Sequence, residues 1–126
     1  MAFDGSDGNP NNEQMNALAA KARELQAQLQ KELGDAAAKE YNSIVDAGQI
    51  KVKMTGDFTV HQIYISPDYL STHTTQQISD AITLAFNNCK RDIDSERQAI
   101  IANFQEQSNE TVYKILGQKN DGGKVS

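Results

Sequence analysis

The stretch from Gly48 to Leu70, GQIKVKMTGDFTVHQIYISPDYL, constrains the fold most, because it reads as two β-arms and a turn set between long amphipathic helical segments. Ile50, Val52 and Met54 alternate with Lys51, Lys53 and Thr55, the period-two pattern of a strand with one buried and one wet face. Gly56-Asp57 supplies the reversal, since glycine takes positive φ without steric cost and Asp hydrogen-bonds its own backbone. The return arm, Phe58 to Ile65, is rich in β-branched and aromatic residues. Pro67 cannot donate to a ladder, so the strand is expected to stop at about Ser66.

On the N-terminal side a helix is expected from Glu13 to Lys39, with Met15, Leu18, Ala22, Leu25 and Leu29 spaced as a seam that packs lengthwise on another helix. Gly34 lies inside it and weakens it by about 1 kcal/mol relative to Ala, so a bend or an early end there is compatible with the pattern. Tyr41, Ser43 and Val45 read as one face of a short strand before an Asp46-Ala47-Gly48 turn, although Tyr41, Ile44 and Val45 would also finish a helix. On the C-terminal side Thr74 and Gln77 form a capping box. Ile78, Ile82, Ala85, Cys89, Ile93, Ile100 and Phe104 then carry a helix to roughly Gln107, and Thr111 to Leu116 extends it or stands apart. The expected class is α+β: long helix, three-stranded antiparallel meander, long helix. So small a sheet cannot cover both apolar stripes, which points to a homodimer, with Val52, Met54, Val60, Ile63 and Ile65 as its core and contact face. Residues 1–12 read as a disordered tail, 13–108 as the domain, and 109–126 as an extension that is partly helical and then disordered.

Twelve basic against seventeen acidic residues give a net charge of -5. No segment approaches the roughly 20 apolar residues that span a bilayer, so no membrane partner is expected. MAFDGSDGNPNNEQ lacks the basic and apolar regions of a secretory signal, and a cytoplasmic address follows as the expectation. The lone Cys89 sits among apolar helix positions and reads as a small buried hydrophobe. His61 and His73 have no ligand-like spacing, and neither GxGxxG nor a Walker loop is present. No metal, cofactor or catalytic residue is expected, and the chain does not read as an enzyme.

Taken together, Leu18 to Leu33, GQIKVKMTG with Gly48, Val52 and Gly56, VHQIYISPDYL with Val60, Ile63, Ile65, Pro67 and Leu70, and the helix start with Ile78, Ile82, Ala85 and Asn87 resemble the YbaB/EbfC family of bacterial nucleoid-associated proteins. The likeness covers residues 15 to about 105. It implies a homodimer joined through the sheets, whose helices project as paired arms able to straddle double-stranded DNA at the nucleoid, without enzymatic activity; binding through phosphates then carries little sequence preference.

The basic residues available for phosphate are Lys21, Arg23 and Lys31 on the first helix, Lys51 and Lys53 on the wet strand face, and Lys90, Arg91 and Arg97 on the second helix. Glu24, Glu32, Asp92, Asp94 and Glu96 interleave with them, as on an ordinary solvated helix. Between residues 13 and 108 there are thirteen acidic and nine basic side chains. That balance supports an alternative: an acidic protein-interaction module or adaptor that docks a partner in a groove between its helices and leaves DNA alone.

Overall fold

The structure, a computed structural model, describes residues 10–116, with side chains from Asn12 onward. Helix α1 (Pro10–Ala38) leads into strands β1 (Glu40–Val45), β2 (Ile50–Thr55) and β3 (Val60–Ile65), a short helix α2 (Pro67–Thr72) and the long helix α3 (Thr75–Leu116). The sheet is antiparallel in the order β1-β2-β3, which is the expected meander. Of the expected tail at 1–12, residues 10–12 belong to α1 and residues 1–9 lie outside the described residues, as does the expected tail at 117–126.

Helix α1 starts at Pro10, three residues before the expected Glu13. Proline fits a first helical turn because its missing N–H is one that needs no intrahelical partner there. Gly34 causes no break, and α3 runs without interruption through Ser108-Asn109 to Leu116. The capping box forms as read: the Thr74 N–H donates to Gln77 Oε1 at 2.9 Å, and the Gln77 N–H donates to Thr74 Oγ1 at 3.1 Å.

Helix α2 is an addition to the sequence reading, which carried Pro67 only as a strand stop. Ser66 accepts the Tyr69 N–H on its Oγ at 3.0 Å, and Pro67 follows at the start of the helix. The Ser-Pro-Asp opening was the available signal. Replacing Ser66 by Ala is expected to lower stability by about 1 kcal/mol and the melting temperature by ~5 °C in a thermal scan, the usual effect of losing an N-cap.

The chain forms two compact units, which are described separately. One combines residues 10–31 with 100–116. Leu25 is buried there, Leu18 and Leu29 are half-buried, and Gln14 Nε2 donates to the Ile115 carbonyl at 3.2 Å. Met15 and Ala22, expected in the same seam, are exposed. Two helices bury only one stripe each, so a seam of this length is incompletely covered by a single partner helix.

The other unit spans Glu32–Ala99 and holds the main core. Tyr41 from β1, Ile50, Val52 and Met54 from β2, and Tyr69 from α2 pack with Ala81, Ala85, Cys89 and Ile93 of α3. The small Ala81, Ala85 and Cys89 bring α3 close to the sheet, while Ile78, Ile82 and Phe86 pack at the edges. Cys89 is fully buried, its Sγ 3.6 Å from the carbonyls of Tyr41 and Val52. Burial and the nearby Asp92 push its thiol pKa up, so it behaves as the expected apolar filler.

The Asp46-Ala47-Gly48 turn forms where it is expected, and the Gly56-Asp57 hairpin differs from its reading in which residue reverses the chain. Asp46, Ala47 and Gly48 all take positive φ, at 53°, 56° and 91°. Only Gly48 does so freely; a non-glycine residue in this region costs roughly 1–2 kcal/mol. At the hairpin, Gly56 does not supply the left-handed residue; Phe58 does, with φ 65°. Gly56 is needed for proximity instead, because a Cβ there would lie 2.0 Å from the Ala36 carbonyl oxygen. Its N–H donates to Lys39 O at 3.0 Å and the Asp57 N–H donates to Ala37 O at 3.1 Å, so the turn satisfies carbonyls at the end of α1.

Candidate functional site

The side chains singled out for dimer contact share one face of the sheet but not one environment. Ile50 pairs with Ile65, Val52 with Ile63, and Met54 with Val60. The last pair depends on a register shift at Lys53/Met54, which leaves His61 without an opposite residue. Without that bulge Val60 would share a face with Gln62 and Tyr64. Helix α3 covers β1 and β2, so Val52 and Met54 are 1% and 0% exposed, and Ile65 packs partly against the core. Along β3 the cover ends: Val60 is 39% and Ile63 48% exposed.

Within the Glu32–Ala99 unit the basic candidates do not converge on one patch. Lys51 and Lys53 lie on the sheet face turned away from α3, in a groove of about 300 Å³ lined with Asn42, Val52, Gln62 and Tyr64. Lys90 and Arg91 line a second groove, of about 340 Å³, along α3 with Asn87, Asp94, Ser95 and Gln98. Arg91 lies between the buried Cys89 and Ile93 and therefore projects away from the sheet, donating to Asn88 Oδ1 at 3.1 Å. Within this unit the two lysine-bearing surfaces therefore face opposite ways, and Arg97 is half-buried on α3. Lys21, Arg23 and Lys31 belong to the other unit, where Lys21 pairs with Glu24 at 3.2 Å.

Lys39, left out of the basic set, bonds Glu96 at 2.9 Å and lies 5.2 Å from the Tyr41 ring centroid. The hydrogen bond and charge of Glu96 raise the Lys39 pKa, which marks it as a tie between the end of α1 and α3. Asn42, Gln62 and Tyr64, which the sequence analysis does not single out, line the groove beside Lys51 and Lys53. The strand alternation carried the signal, since Gln62 and Tyr64 fall opposite Lys53 and Lys51.

The histidines are separated in use. His61 Nε2 lies 3.1 Å from Thr55 Oγ1 at the hairpin, and His73 stacks on Tyr69 with centroids 3.7 Å apart. His73 borders a cavity of about 630 Å³ with Asp46, Gln49, Tyr69, Gln77 and Asp80, whose carboxylates disfavour a polyanion. The Tyr69 phenol bonds Asp46, and that bond raises its pKa. Among the described residues no three His, Cys, Asp or Glu side chains gather as metal ligands, and no helix is long and apolar enough to cross a membrane.

Long mixed-charge helices and a three-stranded antiparallel sheet define the class of small α+β proteins. The model of the YbaB/EbfC DNA-binding family matches residues 11–108, from the first turn of α1 well into α3. The chain belongs to that family. Relatives called nucleoid-associated proteins include one from Clostridium novyi, 29% identical over 76% of this chain and 84% of its own. Another, from Metamycoplasma arthritidis, is 33% identical over 65% of this chain and 84% of its own. A third, from Chloroflexus aurantiacus, is 31% identical over 59% and 74%.

Proposed function

We propose that this chain is a nucleoid-associated protein that works as a homodimer, without catalysis, and holds double-stranded DNA through its phosphates with little sequence preference. The observation that carries the DNA reading is the family match across both helices and the whole sheet. The homodimer rests on β3, where Val60 and Ile63 continue a buried face into solvent. Covering such a side chain fully contributes about 1.5–3 kcal/mol, and a second β3 presents the same apolar row. The contacts we assign to phosphate are Lys90 and Arg91 first, because their groove holds one acid, Asp94, against two cations. Lys21, Arg23, Lys31, Lys51, Lys53 and Arg97 complete the set.

In a mobility-shift titration the affinity for duplex is expected to fall steeply with salt, by roughly 10³-fold or more between about 50 and 200 mM, as it does for six or more phosphate contacts. Reversing Lys90 and Arg91 to Glu together should weaken every duplex sequence by at least about tenfold and flatten that slope. No shift at micromolar dimer in low salt would overturn the DNA reading.

The excess of acids keeps a second reading, a partner-docking adaptor. Lys21 is engaged by Glu24, and Asp94 sits within the Lys90–Arg91 groove. A stoichiometric protein recovered by cross-linking in the host would favour it, and recovery of nucleic acid alone would count against it.

A further inference from the structure

Beside Lys51 and Lys53, the sheet face turned away from α3 carries Asn42, Gln62, Tyr64 and Ile44, which the duplex reading does not use. Across its middle row Ile44, Lys51 and Tyr64 stand side by side, and across the next row Asn42, Lys53 and Gln62 do. Tyr64 is 40% exposed and Ile44 62% exposed, so the face presents an open ring and an apolar neighbour. Lys51 Nζ lies 5.5 Å from the Tyr64 ring centroid, close enough to hold the ring by cation–π attraction. The groove is lined by Asn42, Gln62, Lys51, Lys53, Tyr64 and Val52, with no carboxylate among them. Glu40 is one row further along, opposite Thr55.

We infer that this face is a binding platform for a single-stranded nucleic acid, with Tyr64 as the stacking residue and Lys51 and Lys53 as its phosphate contacts. The charge suits a polyanion, and the ring suits an unpaired base, since every base has a π-face and a stack needs no sequence. Duplex DNA offers no free base face to Tyr64. Lys51 and Lys53 sit about 7 Å apart along one strand and can follow an extended backbone, while three strands about 10 Å across match one chain better than two. When a base stacks, the Lys51 ammonium exchanges the ring for a phosphate oxygen. Asn42 and Gln62 then offer amide donors and acceptors to the neighbouring nucleotide. The platform lies on the opposite side of the sheet from Val52 and Ile63, so a second copy seated on Ile63 leaves it open, and because Lys51 and Lys53 are shared with the duplex reading, Tyr64 is the residue that separates the two.

The test is fluorescence anisotropy on the full-length protein with labelled oligothymidylate, oligouridylate and a mixed-sequence duplex. Wild-type protein is expected to bind at least one homopolymer at micromolar concentration in low salt, and the preference between them reports whether DNA or RNA is the ligand. Tyr64→Ala should weaken that binding roughly 5- to 100-fold, the range for loss of one stacked base. Tyr64→Phe, which keeps the ring, should stay within about twofold of wild type, and Tyr64→Ala should leave duplex affinity within the same margin. Homopolymer binding that is absent, or unchanged in Tyr64→Ala, would overturn the platform while leaving the duplex reading intact. An equal loss on duplex would overturn it too, by assigning the face to double-stranded DNA.

Discussion

Val52→Asp is expected to abolish folding, whereas Ile63→Asp should give a folded protomer that no longer self-associates. These residues face each other across β2 and β3, so a sequence reading treats them alike. Their surroundings differ: Val52 is sealed beneath α3 at 1% exposure, and Ile63 is 48% exposed. A carboxylate at Val52 would be buried with no cation beside it, at several kcal/mol, against a total stability of about 5–15 kcal/mol for an ordinary domain. At Ile63 the carboxylate reaches water in the protomer and is desolvated only where a second copy covers β3. Circular dichroism should show a lost fold for Val52→Asp. Sedimentation should show a monomer with wild-type helicity for Ile63→Asp, and a persistent dimer would remove β3 from the interface.

Gly56→Ala is expected to cost about 2–4 kcal/mol, the upper range for overpacking, and to lower the melting temperature by ~10 °C or more. The added Cβ would lie 2.0 Å from the Ala36 carbonyl oxygen and 2.9 Å from its carbon, and both are backbone atoms that cannot rotate away. Relief requires moving the end of α1 or the hairpin, either of which strains the bonds from Gly56 to Lys39 and from Asp57 to Ala37. By contrast Gly34→Ala meets nothing within 4 Å and sits inside α1, where Ala is the better helix former by about 1 kcal/mol. A pair of denaturant melts with opposite shifts would confirm that glycine serves proximity at Gly56; a neutral Gly56→Ala would refute it.

Much of the architecture was legible because it depends on local periodicity. Ile50, Val52 and Met54 alternate along β2, and Thr74 with Gln77 marks the start of the last helix to within a residue. The errors also have local causes. Helix α2 was missed because proline after a strand was read only as a stop, although Ser66 and Pro67 also open a helix. Gly56 was assigned the positive φ that Phe58 carries, because a turn motif specifies that some residue must reverse the chain but not which backbone atoms crowd it. The binding candidates were harder. Lys51 and Lys53 share a face by simple alternation, yet their separation from Lys90 and Arg91 depends on which side of the sheet α3 covers.

By itself the sequence determined the helix, meander and helix order, the inward side of β2 and the family resemblance, since these follow from residue spacing along a continuous chain. Only the tertiary structure decided which residues on a common face are covered. Helix α3 seals β1 and β2 and leaves Val60 and Ile63 of β3 open, and the bulge at His61 turns Val60 back beside Ile63. Periodicity defines the faces of an element, but exposure depends on what lies across from each face, and that information resides in segments distant along the chain.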